Sequence, residues 1–261
     1  MIFNKESLYM AMSPKTREVT KARDFIWKIT NTFIEEHIHS FDPSNVRDYI
    51  DVYLYKRNEL LKSGKLNETS FSMERLQGNC LNIFFEGIES VSIAATGLLT
   101  ELSKHLDVQR KVQKEVDNII GRDRLPSWTD RQNLPYLDAT MYELYRVASP
   151  FLISTQLSNF EETTIKGYRI PRRSSIIANF WTLNIDPEVY PEPEKFNPGR
   201  FLSAEGKRIK SDTPHAFGIG KRACIGESLA QLEIFLICAS LLQNFELHPG
   251  DSDKTLKLLP R

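Results

Sequence analysis

Ten residues near the C-terminus constrain this chain more than any other stretch: Phe217 to Gly226, reading F-G-I-G-K-R-A-C-I-G. A cysteine, Cys224, stands among glycines at Gly218, Gly220 and Gly226, and two cations, Lys221 and Arg222, come just before it. An apolar run, Ile225 to Leu242, follows with Leu229, Leu232, Leu236 and Ala239 at helical spacing. The pattern predicts a Gly-rich loop that runs into a helix, with Cys224 at the junction. There the positive end of the helix dipole, backbone N–H groups and two cations all favour the thiolate. A thiolate on a stiff loop serves as nucleophile, redox centre or metal ligand, and the glycines let the backbone come close to something flat and bulky. A lone cysteine is commonly just a buried small hydrophobe; the spacing around Cys224 argues for chemistry instead.

Phe217, Gly220, Arg222, Cys224 and Gly226 match every defined position of F-x-x-G-x-R-x-C-x-G, and the stretch resembles the haem-ligand signature of the cytochrome P450 superfamily. Five such matches arise by chance about once in 10⁶ to 10⁷ windows at ordinary residue usage. The resemblance implies that Cys224 is the axial thiolate of a haem b (iron protoporphyrin IX) and the metal ligand. It also implies that Phe217 and Gly226 border the cofactor and that Arg222 holds a propionate. Cysteine ligation pushes electron density to iron and favours O–O cleavage.

The rest of the composition narrows the class. Lys+Arg and Asp+Glu both number 34, so formal net charge is zero, which gives no support to a nucleic-acid role. The three cysteines, Cys80, Cys224 and Cys238, are far apart and odd in number, against a disulfide framework. No uninterrupted apolar run reaches the ~20 residues of a membrane span, and the N-terminus, M-I-F-N-K-E-S, lacks a signal-peptide pattern. With 41% hydrophobic and 26% charged residues the chain reads as globular.

Taken in order, residues 15–39 predict an amphipathic helix that carries Phe25, Ile26, Ile29, Phe33 and Ile34 and is broken at Asp42-Pro43-Ser44. Residues 46–61 predict a second, with Ile50, Val52, Tyr53 and Leu54 as apolar candidates, then a loop at 63–67. Asn67-Glu68-Thr69 is a glycosylation triplet by pattern only. The longest helix, about 72–106, is apolar on several sides around Ile83, Phe84, Phe85, Val91, Ile93 and Leu98 and belongs in the middle of a domain. Its middle, Glu86-Gly87-Ile88-Glu89-Ser90, resembles the family's oxygen-activation element A-G-x-[DE]-T, with Ser90 for Thr and Glu86 for Ala or Gly. A Ser90 hydroxyl bonded back to the Glu86 carbonyl would open the helix locally. By the resemblance Gly87 lets the backbone approach the haem, and Glu89 and Ser90 are catalytic groups that move protons. A carboxylate at Glu86 costs energy there unless paired or protonated.

A helix at 108–120 ends at Gly121; 122–133 reads as polar linker, and 135–147 as another helix. That last helix carries Glu143-Leu144-Tyr145-Arg146, an E-x-x-R. Alone this is an ordinary surface pair; its order relative to the Cys loop gives it meaning. Downstream, Phe196 to Phe201 resembles the family's F-x-P-E-R-F with Gly199 for Glu. The resemblance implies a structural charge triad of Glu143, Arg146 and Arg200, with carboxylate between two guanidiniums. Residues 163–165, 168–170 and 175–178 predict a small β region. Where the family has a propionate-binding His or Arg, this chain has Thr155 or Gln156.

The fold class implied is mainly α with a small β region: a partial cytochrome P450 domain over 1–261. Within it, 1–71 form helices before the central one, 72–106 the distal helix, and 107–261 the haem-binding core. The family's chains are about twice as long, so this chain is expected to be the C-terminal half. The implied activity is monooxygenation: one oxygen atom from dioxygen inserted into a small apolar substrate, with electrons from an NADPH-dependent flavoprotein reductase. The implied location is the cytosolic face of the endoplasmic reticulum membrane, with membrane contact expected only for a full-length form. Two other readings stand beside it. One is a non-catalytic haem-binding remnant. The other, a cysteine-nucleophile hydrolase, fails: only His215 neighbours the cysteine in sequence, and the order of the motifs goes unexplained.

Overall fold

The computed structural model describes residues 14–209, 214–250 and 256–261. It is mainly helical with three small antiparallel sheets. By internal contacts the chain divides into two units, one ending at Ile88 and one from Glu89 to Arg261.

The first unit opens with α1 (Pro14–Ser40), whose fixed proline φ suits a first helical position. It is followed by α2 (Tyr49–Lys62). Asp48 caps α2: its carboxylate accepts the Ile50 and Asp51 N–H groups at 2.9 and 3.1 Å, filling donors left open by the first turn. Ile34, Tyr53, Leu54 and Leu76 form the core of this unit. Phe25, Phe33 and Val52, expected on apolar faces, are exposed. The start of α3 (Met73–Lys104) completes the unit, and the division between units falls inside this helix.

α3 departs from its sequence reading. Ile83, Phe84, Phe85, Ile88 and Ile93 in its middle are exposed rather than central to a core. By length and composition alone α3 is also long and apolar enough to cross a membrane. A count of uninterrupted runs misses this because Glu86 and Glu89 fall inside the helix. Its fully buried apolar side chains lie toward its two ends, Leu76 near the start and Leu98 and Leu102 in the last turns.

The second unit is built on α4 (Leu106–Ile119), α5 (Pro135–Val147) and α7 (Glu227–Asn244). α4 buries Val108, Val112 and Val116, a stripe at i, i+4 spacing. These meet Leu137, Met141 and Leu144 of α5 and Phe235, Cys238 and Leu242 of α7 in one core. The Glu115 carboxylate of α4 accepts the Tyr136 and Leu137 N–H groups at 2.9 and 2.8 Å, so α4 caps α5. The expected linker at 122–133 instead ends in a 3₁₀ turn, Trp128–Asn133, closed by a Ser127–Asp130 capping box.

Between α5 and α7, β1 (Leu157–Ser158) pairs with β4 (Ser175–Ile176), and β2 (Thr163–Ile165) forms a hairpin with β3 (Tyr168–Ile170). A short helix, α6 (Phe180–Asn184), follows. β5 (Phe245–Pro249) and β6 (Leu256–Pro260) pair from Phe245↔Pro260 to Pro249↔Leu256. Gln109 pins this hairpin to α4: its Oε1 accepts the Leu247 N–H at 2.7 Å and its Nε2 donates to the Leu247 carbonyl at 2.9 Å. Neither α6 nor the β5–β6 pair is in the sequence reading.

Candidate functional site

The cysteine loop is shaped by two glycines. Gly218 and Gly220 have φ of 73° and 74°, a region that side chains with a Cβ enter at a cost. They follow and open two 3₁₀ turns, His215–Phe217 and Gly220–Arg222. The loop closes where the Cys224 N–H donates to the Phe217 carbonyl at 2.8 Å. Gly226 then caps α7, so Cys224 lies just ahead of the helix rather than within its first turn. A methyl group at Gly226 would sit 3.9 Å from Cys224 Sγ. Phe217 is half-buried, its ring edge-on to Tyr145 at 5.2 Å.

Cys224 is exposed, and so are Ile225, 97% accessible, and Ile219, 76% accessible, on the same loop. Arg222 is exposed and makes no ion pair among the described residues. The other thiols differ. Burial pushes Cys238 far up from the ordinary thiol range, and burial raises half-buried Cys80 as well. An accessible soft sulfur donor, glycines that keep the adjacent backbone bare, exposed aliphatic side chains and an uncommitted cation fit a flat, apolar, anionic-edged metal cofactor.

Behind the loop the structure brings together Glu143, Arg146 and Arg200. Arg146 grips Glu143 with both arms, Nε and Nη2 each donating at 2.8 Å, and both side chains are fully buried. Arg200 Nε donates to the same carboxylate at 3.2 Å, and so does the Asn197 N–H at 2.8 Å. The spare guanidinium donors reach main-chain carbonyls: Asn184 and Lys195 for Arg146, Pro191, Glu192 and Lys195 for Arg200. Such satisfaction is what makes a buried ion cluster tolerable. Gly199 has its own reason: Asn197 Oδ1 accepts its N–H at 3.0 Å, and a Cβ there would lie 2.9 Å from that oxygen.

On α3, Gly87 and Glu89 are exposed and Ser90 is half-buried. A Cβ at Gly87 would meet nothing within 4 Å. α3 stays helical through Glu86 to Ser90, without a non-helical residue at the expected opening. Thr155 is exposed on the stretch between α5 and β1. Asn197, Asn184 and Tyr145 were missed by the sequence reading; the first two act through main-chain contacts that no residue pattern advertises.

The chain is 35% identical over 249 residues to cytochrome P450 2U1 of Homo sapiens, covering 95% of this chain and 45% of that one. It is 36% identical over 251 residues to cytochrome P450 2E1 of Oryctolagus cuniculus, covering 95% and 50%. To cytochrome P450 2C26 of Mesocricetus auratus it is 39% identical over 244 residues, covering 91% and 49%. The chain thus spans about half the length of the curated relatives it matches. The family model for cytochrome P450 matches residues 1–260, and on that match, together with the four motifs in order, the chain belongs to the cytochrome P450 family.

Proposed function

We propose that this chain forms the haem-binding part of a monooxygenase that inserts one oxygen atom from dioxygen into a small apolar organic substrate. The carrying observation is Cys224, the exposed thiol of the three, on a loop that leaves its sulfur side bare. A haem b bound there supplies dioxygen activation, with electrons delivered by an NADPH-dependent flavoprotein reductase. Cys224 is the thiolate ligand, and the Phe217 carbonyl fixes the backbone it projects from. Arg222 offers its guanidinium to a propionate. Gly226 and Phe217 keep the proximal side flat. On α3, Gly87 would admit close approach of the group, the Ser90 hydroxyl would hold a proton, and the Glu89 carboxylate, exposed to water, would resupply it. Glu143, Arg146 and Arg200 keep the scaffold behind the loop rigid.

In this reading residues 1–71, 72–106 and 107–261 are the leading helices, the distal helix and the haem-binding core of one P450 domain. The protein works at the cytosolic face of the endoplasmic reticulum membrane. The test is the ferrous carbonyl spectrum. Wild-type and Cys238→Ala proteins are expected to show the red-shifted Soret band of thiolate ligation, and Cys224→Ala to lose it. A spectrum indifferent to Cys224 would overturn the assignment. A thiolate spectrum without reductase-dependent product formation would leave a haem-binding remnant in place of an enzyme.

A further inference from the structure

We propose that Asn184 is a positioning residue for the Cys224 loop, joining it to the Glu143–Arg146 cluster; this rests on the reading of Cys224 as the haem ligand. Asn184 ends α6 and is buried at 2% exposure. Its main-chain carbonyl accepts Arg146 Nη1 at 3.0 Å. Its side-chain Oδ1 accepts the His215 N–H at 3.3 Å. His215 opens the turn whose last carbonyl, at Phe217, accepts the Cys224 N–H. One residue therefore takes a bond from the buried cluster on its backbone and gives one anchor to the loop with its side chain.

The other end of α6 touches the same loop: Phe180 Cζ lies 3.8 Å from the place a Cβ would occupy on Gly218. α6 is thus a brace along the loop's entry, with its own N-terminus capped separately by Asn179, whose Oδ1 accepts the Thr182 N–H at 3.2 Å. That cap bonds within α6 rather than to His215 and serves as the control. The side chain is the discriminating part. The bond from Arg146 ends on the main chain and survives truncation, whereas the bond to His215 does not. Losing it frees the start of the loop without touching the charge cluster, so the cysteine and not the scaffold should respond.

The experiment compares wild-type, Asn184→Ala, Asn184→Asp and Asn179→Ala in the full natural chain. The rate of Cys224 alkylation by iodoacetamide is read in the haem-free protein, with Cys80 as internal reference. Asn184→Ala is expected to raise that rate about two- to tenfold, the population change expected from one neutral hydrogen bond. It should also shift part of the ferrous carbonyl complex from the thiolate to a non-thiolate band. Asn184→Asp, which keeps the acceptor, is expected to restore both, and Asn179→Ala to change neither even if it lowers the melting temperature. Alkylation and spectrum unchanged in Asn184→Ala, or changed equally in Asn179→Ala, would overturn the proposal. If Asn184→Ala does not fold, hydrogen exchange at the wild-type His215 amide decides: protection supports the bond, and exchange at the rate of an open amide overturns it. Failure of the ligand reading shows separately, as a thiolate band that survives Cys224→Ala, and would overturn the functional half while the haem-free readouts still judge the brace.

Discussion

Arg146 and Tyr145 are sequence neighbours on α5 with opposite accounts. Arg146 spends its donors on the Glu143 carboxylate and on two main-chain carbonyls while fully buried. Arg146→Ala or Glu143→Ala strands the other charge in the interior, which costs about 3–5 kcal/mol. Either variant is expected to be insoluble or haem-free when made in the full natural chain. Arg200→Ala should cost less, because its side chain is not fully buried and its Nε reaches the two Glu143 oxygens at 3.1 and 3.2 Å, longer than the 2.8 Å bonds from Arg146. Normal haem incorporation and wild-type melting in Arg146→Ala would refute the structural role. Tyr145 is buried too, but its hydroxyl has no hydrogen-bond partner among the described residues, and burial pushes its pKa far above the ordinary phenol range. A buried unpaired hydroxyl costs about 1–3 kcal/mol. Tyr145→Phe keeps the ring against Phe217 and should therefore raise the melting temperature; a fall would show that the hydroxyl is bonded in the folded protein. The sequence made Glu143 and Arg146 visible through their spacing and their order before the cysteine. Tyr145 between them carried no such signal, since its state depends on what packs over it.

Long helices were legible because a 3.6-residue repeat is written in the chain itself: α1, α2, α4 and α5 fall within a few residues of where periodicity puts them. α6, the 3₁₀ turns and the β5–β6 pair were not legible. Elements of three to six residues draw their order from tertiary bonds, such as those from Gln109 to Leu247 or from Asn184 to His215. α3 was legible in extent and misread in surroundings, because hydrophobicity announces burial without naming the neighbour. The joint between α1 and α2 makes a testable case at this scale. Arg47 donates to both oxygens of Asp51, at 2.6 and 2.9 Å. That hydrogen-bonded pairing holds the Asp51 carboxyl down at about 2, below its ordinary 3.8. A carboxyl depressed in the folded state stabilises it above the unfolded pKa and ceases to as pH falls through the folded one. Helix loss in this unit is therefore expected to steepen between pH about 4 and 2. Asp51→Asn should flatten that limb; circular dichroism of wild type and variant giving the same acid profile would exclude the pair as its source.

At the scale of the whole molecule, the question is what residues 1–261 can do by themselves. The relatives carry about as much chain again outside the matched region. A haem is gripped by apolar walls on both faces and by cations at its propionates. This chain offers Cys224 with exposed Ile219, Ile225 and Leu229 near it in sequence; separately, α3 exposes Ile83, Phe84, Phe85 and Ile88. For the propionates it offers Arg222, with Thr155 where the family pattern has a cation. A propionate without a charge-assisted bond forgoes about 1.5–3 kcal/mol, or roughly 10- to 100-fold in affinity. An open pocket also admits water, which weakens the electrostatics that oxygen activation needs. Exposed apolar surface in water drives association. The polypeptide of residues 1–261 is therefore expected to bind haemin weakly, to enhance the fluorescence of a hydrophobic dye, and to sediment as concentration-dependent oligomers. With a flavoprotein reductase and NADPH it should consume little reductant productively. Haemin titration, sedimentation velocity and a coupled turnover assay read these together. Tight stoichiometric haem binding by a monomer, with product formed in step with NADPH oxidation, would show instead that these residues build both walls of the pocket by themselves.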